Sequence, residues 1–499
     1  MSMIRPSVLV LASAALALAP AHALAQSATR IWETSCMSCH GEDAQGGSAP
    51  SLLEDQWLAP DKDREFFEKV KHGVPGTAMT SFGETLSDAQ IWAVVVHLRE
   101  LQERARRGRI GVIKPDREGV YRTQHASYRL ERLVTKGLKD PWSVDFLPPS
   151  KDGSRPMLVT EKPGRLRVWQ NGELSEPVKN IPDVRDRGQG GLMDVAVHPE
   201  FEKNGWVYLS FSDPLKGSRG DPAMTTIARG TLVNTNGAWS WNDIQTIFRA
   251  PENTFLNGDL HYGCRIVFQK PEKHGDKWII FFAIGERGRM ELAQDLTRPN
   301  GKVFRVYDDG SVPADNPFVD QKDKGVLPQI WSYGHRNPQG LVLDLQGRLW
   351  DTEHGPRGGD ELNLIAKGQN YGWPTVSFGI NYNDSSFRVP WGDPAIVMPT
   401  LRWIPSIAAC GLDVARGDAF KAWEGDLLAG GLAGQVVERL RIGKDGQLVE
   451  REEIVKNLGR VRDVVCGPDG FIYLALNGPD HVVRLVPAEN SKPKASPGR

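Results

Sequence analysis

A short apolar strand, a turn and a second strand recur six times between about residue 140 and residue 480 of this 499-residue chain. The first strands fall at Trp142–Phe146, Leu192–Val197, Arg265–Phe268, Gly340–Leu343, Gly411–Val414 and Val461–Val465. The second strands include Met157–Thr160, Trp206–Phe211, Lys277–Ile284, Arg348–Trp350, Asp426–Leu428 and Phe471–Leu476, and turns such as Gly467-Pro468-Asp469-Gly470 join several pairs. One such unit cannot bury its apolar face alone, so the copies must stack on one another. Long helical periodicity is absent here. Six copies at unequal spacing predict a six-bladed β-propeller over residues 124–488, since a single sandwich is strained at this length. Sites in such folds gather near the central channel, where residues distant in sequence meet.

The N-terminal part reads differently. Arg5, the apolar run Val8–Leu18 and Ala23-Leu24-Ala25 before Gln26 form a secretory signal peptide over residues 1–25, too short to cross a membrane. The mature protein is therefore expected in the periplasm or secreted, without a membrane span. The formal net charge of −1 gives no sign of nucleic-acid binding. Next comes Cys36-Met37-Ser38-Cys39-His40, the attachment signature of c-type haem. Cys36 and Cys39 would take the haem vinyl groups, and His40 would be the proximal iron ligand. Met79, on the rigid loop Gly73–Met79, is the preferred sixth ligand, with His72 as its rival. The loop and the helix after it resemble the class I cytochrome c pattern. That helix starts at the N-cap Ser87 and repeats Ile91, Val94, Val95 and Leu98 on one face. A small all-α cytochrome c domain is expected over residues 27–103, with His97 on the helix surface. Residues 104–123 are basic and read as a linker between two independent cores, and residues 489–499 as a disordered tail.

The densest polar stretch is Gly334–Pro374, where Gly and Pro bracket His335, Arg336, Asn337, Gln339, Glu353, His354, Asp360 and Glu361. Charged and amide groups on a rigid loop line sites. Gln189, His261, Arg460 and Arg462 stand at matching places in other repeats. Arg460 and Arg462 alternate on a strand and so share a face, and two adjacent guanidinium groups suit carboxylates. Glu361 and Tyr371 could give carboxylate and carbonyl oxygens to Ca²⁺.

Together G-H-R-N-P-Q-G, E-H-G-P-R-G-G-D-E-L-N, N-Y-G-W-P, H-x-G-x-R at His261 and G-Q-G-G-L at Gln189 resemble the soluble pyrroloquinoline-quinone (PQQ) sugar dehydrogenases over Arg129–Pro487. The resemblance implies a six-bladed propeller that oxidises a sugar hydroxyl or hydrated aldehyde. It makes His261 the general base and Arg336 the group beside the reactive quinone carbonyl. It places Gln189, Asn337, Gln339, Tyr382, Arg460 and Arg462 on the cofactor. It makes the carbonyls of Gly355 and Pro356 ligands of a Ca²⁺ that holds PQQ, and Glu361 and Tyr371 ligands of a second, structural Ca²⁺. The three carboxylates of PQQ account for the arginine pair. Two positions depart from the glucose-oxidising branch. Ala433 stands where that branch has a lysine against the cofactor, and His354 replaces a glutamine; both changes lean toward aldose sugars.

Cys264 reads as packing, and His125, His198 and His274 as structural or exposed. Glu286 and Arg287 read as lining the cleft mouth without an assigned role. The full expectation is an exported quinohaemoprotein that passes electrons from sugar through PQQ and haem c to a soluble acceptor such as another cytochrome. The alternatives are a Ca²⁺-dependent propeller hydrolase, such as a lactonase, and a haem-linked sensor without turnover.

Overall fold

The computed structural model describes residues 27–54, 62–270, 277–382, 387–388, 391 and 393–488. The signal peptide, the tail 489–499 and His274 lie outside the described residues. Six antiparallel sheets form the large domain, five of four strands and one of five. Their inner strands are Pro141–Phe146, Leu192–Val197, Ile266–Gln269, Pro338–Leu343, Ala409–Val414 and Arg460–Cys466, at the six places the repeat predicts. We number the blades in that order. The sixth is closed by the other end of the domain: Ser127–Val134 pairs antiparallel with His481–Pro487, and Val120–Arg122 adds an outer strand. Closure of this kind leaves no blade at an open end of the array.

Aspartates stitch the inner strands together. Asp145 accepts the N–H of Val197 at 2.6 Å, Asp194 that of Ile266 at 2.8 Å, Asp413 that of Cys466 at 2.8 Å and Asp463 that of Val144 at 3.0 Å. Arg265 spans the axis between Asp194 and Asp463, at 2.9 Å from each. A buried charge is tolerated only when paired in this way. The blades otherwise hold by apolar packing, with one cluster between each pair of neighbouring sheets, such as Phe282, Phe304 and Tyr208.

The small domain is helical, with helices Lys62–His72 and Asp88–Ile110 and a short helical turn through Trp32–His40. Ser87 caps the second helix in a full capping box with Gln90. Ile91, Val94, Val95 and Leu98 are buried, as the periodicity requires.

Two readings are corrected here. The helix runs seven residues beyond Glu103 to Ile110, and Val120–Arg122 is strand, so the connection shrinks to residues 111–119. Arg104, Arg106, Arg107 and Arg109 of the supposed linker are helical, and Arg106 and Arg107 bond Glu103 and reach Glu453 of blade five. The cores are also not independent. Phe378, Ile380 and Ile404 of blade four belong to the apolar core of the small domain, with Trp391 packed against it. His97 is the second correction. Its side chain is only 11 % exposed, facing Trp32 at 5.8 Å between ring centres.

Candidate active site

Gln189, His261, Arg336, Asn337 and Arg460 all stand where a loop enters an inner strand. Inner strands of a propeller run the same way along the axis, so these starts share one face. His261 enters with φ +53, in the left-handed region that a side chain with a Cβ seldom adopts. Its backbone is held on both sides. The His261 N–H donates to Gln189 Oε1 at 2.7 Å, and its carbonyl accepts from Arg287 N at 3.3 Å. Strain held this firmly is typical of functional positions.

Nδ1 of His261 is bonded to the carboxylate of Glu286, both side chains being buried. An N–H on Nδ1 leaves Nε2 as the lone-pair nitrogen, the form a general base needs. Burial pushes the His261 imidazole below its ordinary pKa, and Arg336 adds to this, while Glu286 opposes it. Glu286 is the residue that sequence reasoning left without a role. The signal was its place in Gly285-Glu286-Arg287-Gly288, a charged pair between glycines after a strand.

The loops interlock through backbone bonds. Glu286 N donates to Arg336 O at 2.9 Å, and His354 N to Asn337 O at 3.2 Å. Arg336 is 8 % exposed. Its Nη1 donates to the His354 carbonyl at 3.1 Å, and its guanidinium lies 5.2 Å over the Trp373 ring. Asn337 Oδ1 accepts from Gly263 N at 3.2 Å and from Gln339 Nε2 at 3.2 Å. Burial pushes His354 down to about 3, helped by the nearby charges of Arg336, His261 and Arg462. His354 is thus neutral and stands among the groups assigned to the cleft.

Arg462 donates to Asn477 Oδ1 at 3.3 Å and lies 4.1 Å over the Trp142 ring. Arg460 is depressed by burial and then by the charge of Arg462, so the two guanidinium groups sit close. Arg336, Arg460 and Arg462 have no carboxylate at ion-pair distance among the described residues. The Nε of Arg336, Nδ2 of Asn337 and Nε2 of His354 are buried without a hydrogen-bond partner among the described residues. Unpaired buried donors and uncompensated cations are costly in an isolated cleft. They fit a planar polycarboxylate carrying carbonyls. Gln189 spends its amide oxygen on His261, leaving its NH₂ for such a ligand. Tyr382 is 78 % exposed and within electrostatic reach of Arg336.

Beside Arg336 lies a small cavity lined by Glu353, His354, Gly355, Glu361 and Tyr371. Gly355 N donates to Asp360 Oδ1 at 3.0 Å, and a Cβ on Gly355 would lie 2.3 Å from the Gly359 carbonyl, so the loop closes only with glycine there. Asp351 and Glu361 are held well above the usual carboxylate range, by burial first and then by the charge of Glu353. His335, Asp351 and Glu353 place ligand atoms within 4.8 Å of one another. Mutually repelling buried carboxylates fit a hard cation. Asp351 was not singled out in the sequence because it sits mid-strand, away from the glycines that mark the neighbouring loop. The phenol of Tyr371 is committed to Leu364 O and Ala366 N, so only its backbone oxygen could serve a metal.

In the small domain, Cys36 and Cys39 are free thiols one helical turn apart. Cys36 packs on the apolar core, and burial holds His40 below its ordinary pKa, in the neutral form that binds metal. His72 is exposed and paired with Glu68 at 3.3 Å, whereas Met79 is partly buried. Cys264 is buried against Trp142, Met193 and Tyr262, as packing predicts. His198 is buried among aromatic rings, and His125 bonds Glu450 at 2.7 Å. Ala433 is exposed.

Residues 138–484 match the family described as Glucose / Sorbosone dehydrogenase, and residues 23–98 match Cytochrome C oxidase, cbb3-type, subunit III. The aldose sugar dehydrogenase YliI of Escherichia coli (strain K12) is 38 % identical over 356 residues, 70 % of this chain and 90 % of that protein. The crystal structure of the soluble aldose sugar dehydrogenase of Escherichia coli in the apo-form superposes with a TM-score of 0.64 at 35 % identity, covering 72 % of this chain and 100 % of that one. The PQQ-bound aldose sugar dehydrogenase of Streptomyces coelicolor gives 0.57 at 25 % identity, covering 73 % and 99 %.

Proposed function

Since the chain belongs to the glucose/sorbosone dehydrogenase family and carries a cytochrome c domain ahead of the propeller, we propose that it oxidises a sugar at a CH–OH carbon with PQQ. The carrying observation is the His261–Glu286 pair with Arg336 close by, which like Arg460 and Arg462 has no carboxylate at ion-pair distance among the described residues. Support comes also from the PQQ-bound relative.

Bound PQQ would supply the hydride acceptor. Arg460, Arg462, Gln189, Asn337, Gln339 and Tyr382 would hold and orient it. Gly355 and Pro356 would present carbonyls to a Ca²⁺ beside it, and Glu361, with the backbone of Tyr371, to a second Ca²⁺. His261 Nε2 takes the proton of the substrate hydroxyl, and Glu286 keeps the imidazole oriented and stabilises its protonated form. Arg336, buried and rigid, places positive charge where negative charge develops. His354, neutral, offers a hydrogen bond without competing for the proton.

Cys36 and Cys39 would attach haem c, with His40 and Met79 as iron ligands. The haem would take electrons singly and pass them to a soluble acceptor such as another cytochrome. Export to the periplasm or beyond is part of the same reading, because haem attachment to C-x-x-C-H and the leader sequence agree.

The test is dye bleaching by aldose sugars. Protein prepared without PQQ and Ca²⁺ should be inactive and gain activity only when both are added. Activity with a nicotinamide cofactor instead would refute the reading.

A further inference from the structure

Four side chains bridge the propeller cleft and the Cys36–His40 turn. Arg357 follows Gly355 and Pro356 in the cleft loop, and its backbone is locked by a two-way bridge to Ile380 at 2.9 and 3.0 Å. Its Nη2 lies 3.7 Å from Glu100 Oε2 on the long helix of the small domain. The same Glu100 oxygen lies 3.8 Å from Nδ1 of His97, one turn earlier. The His97 ring faces Trp32 at 5.8 Å, and Trp32 faces His40 at 6.4 Å. Trp32 is held in place by its indole N–H, which donates to Glu42 O at 3.0 Å.

These residues are not where packing alone would put them. Nδ1 of His97 is buried and makes no hydrogen bond among the described residues. An apolar residue would fill this place on the helix at lower cost. The side chains of His97 and Glu100 are only 11 % and 16 % exposed, so the middle of the bridge runs through protein, while the Arg357 side chain at its cleft end is 38 % exposed. The loop also touches the helix directly: a Cβ on Gly358, at φ +73, would lie 4.0 Å from Val96.

The surrounding contacts fix the domains. Trp391 sits edge-on to Phe67 and to Trp92, at 5.2 Å from each, and Phe378 lies 6.3 Å from Trp92. Asp63 bonds Arg99 at 2.6 Å and pairs with Arg402 of blade four.

We propose that Arg357, Glu100, His97 and Trp32 are positioning residues that form the contact path by which electrons leave the cleft for the haem site, in a docked arrangement that needs no domain swing. The proposal rests on the reading of a PQQ cleft and a haem c at Cys36–His40. The reduced quinone gives up two electrons and two protons. Each electron converts one ferric haem to ferrous haem, and an external one-electron acceptor reoxidises the haem between the two transfers. The protons leave by the cleft, not along the path.

The test uses the full-length haem-loaded protein as parent, His97→Ala, His97→Phe and Glu100→Gln. With PQQ, Ca²⁺ and an aldose sugar, stopped-flow absorbance gives the haem reduction rate, and a small dye gives cleft turnover. Without PQQ, hydrogen–deuterium exchange over residues 354–359 and 91–101 reports docking, and the haem midpoint potential reports the haem itself. Haem reduction in His97→Ala should slow about tenfold or more, given that small displacements of positioned groups cost up to about 10²-fold. His97→Phe should restore part of the loss, and Glu100→Gln should slow the rate to a smaller extent. Dye turnover, exchange and potential should stay at parent values. Parent rates in both His97→Ala and Glu100→Gln would overturn the path. So would a slowed rate accompanied by lost protection over residues 354–359, since undocking would then explain it. A parent haem that stays oxidised during full dye turnover would instead overturn the underlying relay.

Discussion

Glu286 and His261 stand 25 residues apart in sequence, yet the carboxylate of one is bonded to Nδ1 of the other inside the cleft. The pairing gives the imidazole one defined orientation and leaves Nε2 for substrate. His261→Ala should lower kcat/KM by about 10²–10⁴-fold, the usual worth of a general base. Titration of the apoprotein with PQQ should show binding retained, because the imidazole is assigned to substrate.

The pH profile follows from the same pair. Activity needs neutral His261, so kcat/KM rises with pH through its pKa. That pKa is depressed by burial first and by Arg336 next. The acid limb should therefore fall below the ordinary imidazole value of about 6.5. Glu286→Gln removes a group that favours the protonated ring, so the limb should move lower still while the plateau rate drops. A limb moving upward in Glu286→Gln would show that the carboxylate does not face the base.

Among the described residues Arg462 has no carboxylate at ion-pair distance, so its removal should be felt by a ligand and not by the fold. Arg462→Ala should weaken PQQ binding by about 1.5–3 kcal/mol, the range for hydrogen bonds to charged groups. Thermal unfolding of the cofactor-free protein should stay near parent. A large fall in Tm with unchanged PQQ affinity would make Arg462 structural.

Glu361 belongs to the buried acid cluster with Asp351 and Glu353. Ca²⁺ should raise Tm of the PQQ-free protein, corresponding to about 2.7 kcal/mol at a hundred times Kd. In Glu361→Gln the rise should shrink or vanish. An equal rise in both proteins would remove Glu361 from the metal site.

Glu103 sits at the domain interface between Arg106, Arg107 and Arg451. Burial raises its pKa, but the hydrogen bond from Arg106 and the charges of Arg451, Arg106 and Arg107 outweigh this and leave it at about 2, from 4.5. The folded value is depressed, so the stabilisation is complete above pH 4.5 and is lost as pH falls toward 2. The shift corresponds to about 3 kcal/mol. Tryptophan fluorescence, sensitive to the Trp92–Trp391 contact, should report loosening across that window in the parent and a smaller change in Glu103→Gln.

The sequence by itself determined the blades, the haem motif and most of the cleft. Blade strands are legible because each buries a short apolar run between turn residues, a local pattern with period and punctuation. His261, Arg336 and Arg462 are legible because polar groups beside glycine at strand starts recur in several repeats. The tertiary structure decided what depends on two distant segments meeting. Glu286 became the partner of His261 only when neighbouring loops closed on each other. Asp351 shares a strand face with Glu353, but Glu361 joined them through pairing with the next strand, which one strand's own residues do not reveal. The basic run after Glu103 read as a linker because it is basic with few large apolar residues, while Glu453, which ties it to the propeller, lies about 350 residues on. His97 read as exposed for a similar reason: one helix cannot show that Trp32 would pack against it. Charge and burial at such positions are properties of the assembled neighbourhood, and only folding supplies the neighbours.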